Sequence, residues 1–209
     1  YLSYQTVDKD TDGTPDFITI TDCDASAVEV EIPAEIDNLP VTQIGVRAFM
    51  DCEALTSVTI PDSVTSIEPY TFYDCKNLSA IIVGKGVTRI DELAVYSCQS
   101  LISITIPDSV TVIERYTFSG CSSLAEIRIP DSVKKIGDSC FSWCENLTKA
   151  VLPEGLSEIG DAVFSECKKL VFVNIPSSVK AVGSYAFSGC TSLKEVWYEG
   201  NIDEHQTID

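Results

Sequence analysis

From residue 41 to residue 201 the apolar positions recur every 23 residues. Aligned on Leu55, Leu78, Leu101, Leu124, Leu147, Leu170 and Leu193, each unit reads approximately L-x-x-V-x-I-P-x-x-V-x-x-I-x-x-x-A-F-x-x-C, and seven units fill about three quarters of the chain. The first part of the unit, as in Ser57-Val58-Thr59-Ile60-Pro61, alternates β-branched residues and stops at a proline, which predicts a short strand ending in a turn. The second part, which holds Ile67 and Phe72 in one copy, predicts a short turn segment. Ordering such a unit costs on the order of 23–46 kcal/mol of backbone entropy, at roughly 1–2 kcal/mol per residue. One turn buries too little to offset that, so the units must stack and merge their Leu, Ile and Phe columns into one core. The prediction is a solenoid: seven coils at about 4.8 Å per strand form a rod about 34 Å long, with apolar ends that need caps.

Residues 1–40 lack the period. Phe17-Ile18-Thr19-Ile20 and Val28-Glu29-Val30-Glu31-Ile32-Pro33 alternate instead, and predict the two strands of an N-terminal hairpin. Ile32-Pro33 also closes a degenerate first repeat, which five extra residues around Asp37-Asn38-Leu39-Pro40 interrupt. The expected organisation is an N-terminal cap with that degenerate repeat over 1–40, seven repeats over 41–201, and a C-terminal cap or tail over 202–209. The third unit departs most, with Gly84-Lys85-Gly86 at the proline turn and Leu93-Ala94-Val95 at the Ala-Phe position, which predicts a local bend or a weaker coil there.

Nine cysteines suggest a disulfide framework until their spacing is read. Cys52, Cys75, Cys98, Cys121, Cys144, Cys167 and Cys190 share the 23-residue period and therefore form one core column. Stacked neighbours would lie within disulfide range, but a parallel row suits neither the bond's dihedral nor zinc's tetrahedron, so the column is expected to be reduced filler. Cys140 shares a column with Ala48, Thr71, Ala94, Thr117, Val163 and Ala186, and is core filler too. Cys23 lies in the cap, outside any column.

Charge narrows the partners. A net charge of −18 with scattered cations excludes a phosphate backbone or an anionic membrane as ligand, and no apolar run approaches the roughly 18 residues of a membrane span. The sequence starts at Tyr1 and shows no leader, which is read as a mature or trimmed chain that has lost its targeting signal. His205, in the tail, is the only histidine, which removes histidine-dependent triads; there is no P-loop and no G-x-G-x-x-G. No enzyme activity and no cofactor are expected.

The repeated unit, with Ile-Pro-Asp-Ser-Val at 60–64, 106–110 and 129–133, resembles the BspA-like leucine-rich repeat family over about 160 residues. The N-terminal strand pair and the closing Trp197-Tyr198-Glu199-Gly200 are similar to that family's end segments. The resemblance implies a right-handed leucine-rich-repeat solenoid, with short parallel β-strands on one face and short 3-10 or irregular turns on the other. It also implies a surface or secreted protein of host-associated bacteria that serves adhesion or protein binding, with no catalytic residues.

Candidate sites follow from the outward positions of the strand segment. One outward column reads Thr59, Ile82, Thr105, Arg128, Val151, Asn174, Trp197, and its neighbour reads Ser57, Ala80, Ser103, Glu126, Lys149, Phe172, Glu195. Val151, Val171, Phe172 and Trp197 break the polar pattern on three consecutive coils. Framed by Lys149, Asn174 and Lys194, they predict a patch for a protein or extracellular-matrix ligand. The competing reading folds Trp197 over the last coil as part of the cap, with Phe172 beneath it. A spacer role and glycan binding are the alternative functions, and a monomer is expected. Tyr70, Tyr116 and Tyr185 share a further column, read as rings lying flat over the coil edge or as a second ligand face. Finally, Asp8, Asp10, Asp12 and Asp16 around Gly13 match the opening of a calcium loop, although Thr19 stands where a bidentate Glu belongs; a plain Asp-Gly turn competes with that reading.

Overall fold

The computed structural model describes residues 1–198. The tail over 202–209, with its expected cap and His205, lies outside the described residues, as do Glu199 to Asn201. The chain opens with β1 (Leu2–Val7) and β2 (Phe17–Cys23), paired antiparallel. It continues through β3 (Glu29–Glu31), β4 (Glu35–Ile36) and β5 (Leu39–Ile44). The N-terminal hairpin cap is therefore present, with a different pairing from the one expected. Phe17–Cys23 pairs with Leu2–Val7, whereas Glu29–Glu31 pairs parallel with Ser57–Thr59 and forms the first rung of the solenoid. The polar run Asp24-Ala25-Ser26 is a sheet-to-sheet connection: Asp24 Oδ1 accepts from the Ser26 N–H and hydroxyl, turning the chain between layers. The extra residues of the first coil form a tight hairpin, in which Ile36 and Leu39 flank Asp37 and Asn38 at positive φ, as a two-residue turn requires.

Each later coil supplies an outer strand and a two-residue rung. These are β6 (Ser57–Thr59) and β7 (Ser66–Ile67), β8 (Ala80–Ile82) and β9 (Arg89–Ile90), β10 (Ser103–Ile104) and β11 (Val112–Ile113), and β12 (Glu126–Arg128) and β13 (Lys135–Ile136). The series ends with β14 (Lys149–Val151) and β15 (Glu158–Ile159), β16 (Phe172–Ile175) and β17 (Ala181–Val182), and β18 (Glu195–Tyr198). The rungs extend the cap into one sheet ordered β1-β2-β5-β7-β9-β11-β13-β15-β17. The outer strands form two four-stranded sheets, β3-β6-β8-β10 and β12-β14-β16-β18. A β-solenoid of about eight coils results, with no helical residue among those described. It carries two lines of parallel strands where the sequence predicted one, because the V-x-x-I segment also pairs from coil to coil.

Gly84-Lys85-Gly86 does not bend the strand face. β6, β8 and β10 pair in register across it. The two glycines replace the proline turn because a Cβ on Gly84 would lie 2.3 Å from the Pro61 oxygen, and one on Gly86 2.0 Å from the Asp62 oxygen. The discontinuity comes one coil later, where only an isolated bridge, Thr105 to Arg128, links the two sheets.

The core is the set of stacked columns. The seven-membered Leu column is fully buried from Leu55 to Leu170 and half-buried at Leu193. The phenylalanines form two stacks separated by Val95: Phe49 with Phe72, then Phe118, Phe141, Phe164 and Phe187, whose rings lie 5.5–5.8 Å apart and nearly parallel. All nine cysteines are unbridged. The thiols of Cys75, Cys98, Cys121, Cys144, Cys167 and Cys190 donate to the Phe or Val carbonyl of the preceding coil at 2.9–3.2 Å. Cysteine thus suits this column: it is small and apolar, and its S–H adds a weak second donor to carbonyls that, at Phe49, Phe72, Phe118, Phe141 and Phe164, already accept the cysteine N–H of their own coil.

The turn side forces two left-handed residues into every coil. One column holds Arg47, Tyr70, Leu93, Tyr116, Ser139, Ala162 and Tyr185, and the other Asp51, Asp74, Ser97, Gly120, Trp143, Glu166 and Gly189, all at positive φ. A side chain at such a position costs about 1–2 kcal/mol, against which glycine's extra chain entropy is about 0.5–1 kcal/mol. Ala162→Gly, at φ 53, is therefore expected to stabilise the protein by about 0.5 kcal/mol, read as an upward shift in urea midpoint. A loss of stability would show that the Ala162 methyl packs more strongly than its backbone strains.

Candidate functional site

Strand pairing fixes the geometry of the outer face. β14, β16 and β18 align Lys149 with Phe172 and Glu195, and Val151 with Asn174 and Trp197. Their inward residues, Ala150, Val173 and Ile175, are buried, so the alternate positions must face out. Trp197 is 61 % exposed, Val151 46 % and Val171 40 %, while Phe172 and Asn174 are half-buried. The Phe172 and Trp197 rings meet at 6.3 Å with a 60° tilt, and the Lys149 ammonium sits 5.4 Å from the Phe172 centroid. Lys194 is exposed at the start of the next strand, where its N–H donates to the Val171 carbonyl. All seven residues singled out from the sequence are thus brought together. Ile82 and Ile102 are exposed on the same face, but each has polar or small neighbours in its column and extends no patch.

The tyrosine column does not form one surface. Tyr70 packs beside Tyr73 at 5.8 Å with the Arg47 guanidinium over it, Tyr116 stacks on no other ring among the described residues, and Tyr185 projects into solvent. The ordered aromatic pair on that side is Tyr73 with Tyr96, 4.9 Å apart and nearly parallel. Trp143 was also missed by the sequence reading. It is 51 % exposed at φ 61, with the Lys168 ammonium 5.4 Å from its ring and held by Glu145 at 2.8 Å. A signal existed, since every other member of its column is Asp, Ser, Glu or Gly.

The Asp8–Asp16 segment is the loop of the β1–β2 hairpin, and oxygens of Asp8, Asp10 and Asp16 lie within 4.8 Å of one another. Their carboxylates organise the loop itself. Asp8 accepts from the Thr11 and Gly13 N–H groups, Asp10 from Asp12, Asp12 from Thr14, and Asp16 from Lys9. Thr19 is buried in β2 and donates to Gln43, away from the loop. Of the four aspartates singled out, Asp8, Asp10 and Asp16 converge; with one oxygen from each they would supply three of the six to eight that calcium takes.

One buried carboxyl stands apart. Asp91 accepts from Arg89 Nε at 2.6 Å through Oδ1, while its Oδ2 has no partner among the described residues. Burial raises its pKa above the usual range; Arg89 opposes this, and Glu68 and Glu114 in the adjoining coils reinforce it.

A model of the BspA type leucine-rich repeat region matches residues 42–171 and 113–207, in six copies. The chain belongs to the BspA-type leucine-rich repeat family. This BspA-type chain is similar to a T. pallidum leucine-rich repeat protein, TpLRR, with 32 % identity and a TM-score of 0.85 over 93 % of this chain and 89 % of that one. Two further structures share the fold. The pneumococcal vaccine antigen PcpA has 24 % identity and a TM-score of 0.57 over 95 % of this chain and 48 % of its own. A leucine-rich repeat protein from Eubacterium ventriosum has 21 % identity and a TM-score of 0.50 over 89 % and 68 %. No curated protein matches the chain. No helix among the described residues is long and apolar enough to cross a membrane.

Proposed function

We propose that this BspA-type chain is a non-catalytic, monomeric recognition module of a surface or secreted bacterial protein, binding a protein or extracellular-matrix ligand through its outer strand face. The observation that carries this reading is the patch on three successive coils: Trp197, Val151 and Val171 exposed and Phe172 half-buried against Trp197, with Lys149 and Lys194 beside them in a chain of charge −18. Exposed apolar side chains lower solubility, and aromatic residues beside cations are the types that dominate binding energy at interfaces. Membership of the family supports the surface or secreted location, and the net charge supports a monomer.

The test is binding of the chain to a panel of immobilised extracellular-matrix proteins, with a Phe172→Ser/Trp197→Ser double variant and a Trp143→Ser control. Each strand-face substitution is expected to cost about 1 kcal/mol of stability or less, because both side chains leave area in water, while the double variant loses at least about tenfold in affinity. Equal binding by the double variant would sink the patch, and no binding anywhere on the panel would favour a spacer. A stability loss of about 3 kcal/mol at Phe172 would return it to the cap.

A further inference from the structure

Cys23 sits in no sequence column, yet the fold places it at the head of the cysteine ladder. It ends β2 in the cap, and the Cys52 thiol, 29 residues away in sequence, is directed at its carbonyl. Cys52 and Cys23 differ from the rest of the ladder in one respect. The other six column thiols are held by carbonyls at 2.9–3.2 Å, whereas Cys52 reaches the Cys23 carbonyl only at 4.0 Å and Cys23 reaches the Asp24 carbonyl at 3.7 Å. The two thiols are also electrostatic neighbours, each shifting the other's titration. They are the least committed pair in the ladder, and they lie where the hairpin meets the first full coil, at an end of the solenoid. Coils at such ends have one neighbour instead of two and open most readily.

We propose that Cys23 and Cys52 form a disulfide that staples the hairpin cap to the first full coil when the chain meets an oxidising thiol–disulfide couple. The oxidant is an exogenous disulfide, either of low molecular weight or carried by an oxidoreductase. One cysteine loses its proton and its thiolate attacks that disulfide, giving a mixed disulfide and releasing one thiol. The second cysteine, deprotonated in turn, attacks the first Sγ, closing the Cys23–Cys52 bond and releasing the second thiol. Two hydrogens leave the protein and the reagent gains two. Both thiols are nearly buried, at 5 % and 3 % exposure, so exchange proceeds as the β1–β2 hairpin opens or before it closes during folding. Burial also pushes the Cys23 thiol up to about 12, which makes uncatalysed exchange slow at neutral pH.

The test incubates the full chain with oxidised glutathione, with and without a disulfide oxidoreductase, at pH 8. It is then quenched in acid, unfolded and alkylated, and read by intact mass and peptide mapping. The expected product carries seven labelled cysteines of nine, with one linked peptide joining Cys23 and Cys52, and melts several degrees above the reduced protein. Cys23→Ser keeps its remaining eight cysteines labelled and shows no oxidation-dependent shift in melting temperature. Cys52→Ala serves as the second variant with the same expected result. Nine labelled cysteines after catalysed oxidation, or a link mapped between other members of the ladder, would overturn the proposal. The readout is thiol chemistry and does not depend on the strand face binding anything.

Discussion

Replacing Phe141 by Ala is expected to destabilise the protein by about 3–5 kcal/mol and to lower its melting temperature by about 10 °C. Phe141 is fully buried and lies between the rings of Phe118 at 5.5 Å and Phe164 at 5.6 Å, so truncation opens a cavity between two coil interfaces at once. In a solenoid each coil is stabilised by its neighbours, and losing two interfaces in mid-stack gives the longest lever on the whole array. Phe187 supplies the comparison. It is half-buried, and among the described residues it stacks on Phe164 alone, so Phe187→Ala should cost about half as much. Urea unfolding followed by circular dichroism measures both. Equal costs at the two sites would mean that stability resides within single coils and not in their stacking.

The second large effect is expected where the sequence columns advise the opposite. Gly45, Glu68, Asp91, Glu114, Gly137, Gly160 and Gly183 share one position, so an alignment of the coils rates glutamate as acceptable throughout. In the structure a Cβ on Gly137 would lie 2.5 Å from the Arg115 nitrogen and 2.8 Å from the Glu114 carbonyl carbon, and one on Gly183 2.4 Å from the Gly160 carbonyl carbon. For Gly160 and Gly183 the close approach goes with a bond between the same two coils. Asp138 Oδ1 accepts from the Asp161 N–H at 2.9 Å and Asp161 Oδ1 from the Ser184 N–H at 2.7 Å, bonds that draw each coil against the next. The earlier coils have Pro69, Glu92 and Arg115 at the aspartate position, and there the contact between successive coils is the exposed Arg115–Glu92 ion pair, which involves no backbone N–H. Gly137→Glu is therefore expected to cost about 3 kcal/mol, while Glu114→Gly costs under about 1 kcal/mol. Matched urea midpoints for the two variants would show that the backbone can relax and that the column has a single tolerance.

Most of the strand-face patch was readable from the sequence, because an outward position in one strand remains outward in every coil of the same period. Phe172 and Trp197 stood out as apolar residues in polar columns, and the strand register placed them in contact. Trp143 carried the same kind of signal and was passed over because its column lies in the turn segment, where no face had been assigned. The calcium-like spacing of Asp8 to Asp16 was also legible, but not the way those carboxylates spend themselves on the loop's own N–H groups.

The 23-residue period by itself determined the coil, its inward columns and the stacking, since in a quasi-one-dimensional fold each residue's main neighbour is the same residue one repeat away. Only the tertiary structure decided what happens where that rule stops. At the N-terminus it chose Leu2–Val7 as the partner of Phe17–Cys23 and sent Glu29–Glu31 to the other sheet, since a strand at an end pairs with whichever edge the core leaves open. Between Ile104 and Glu126 it divided one strand face into two sheets. Within the columns it set the spacing of one coil against the next, and so decided which glycines are obligatory and which cysteine thiols find a carbonyl. Period specifies direction, whereas distances of a few tenths of an ångström depend on side chains that differ from coil to coil.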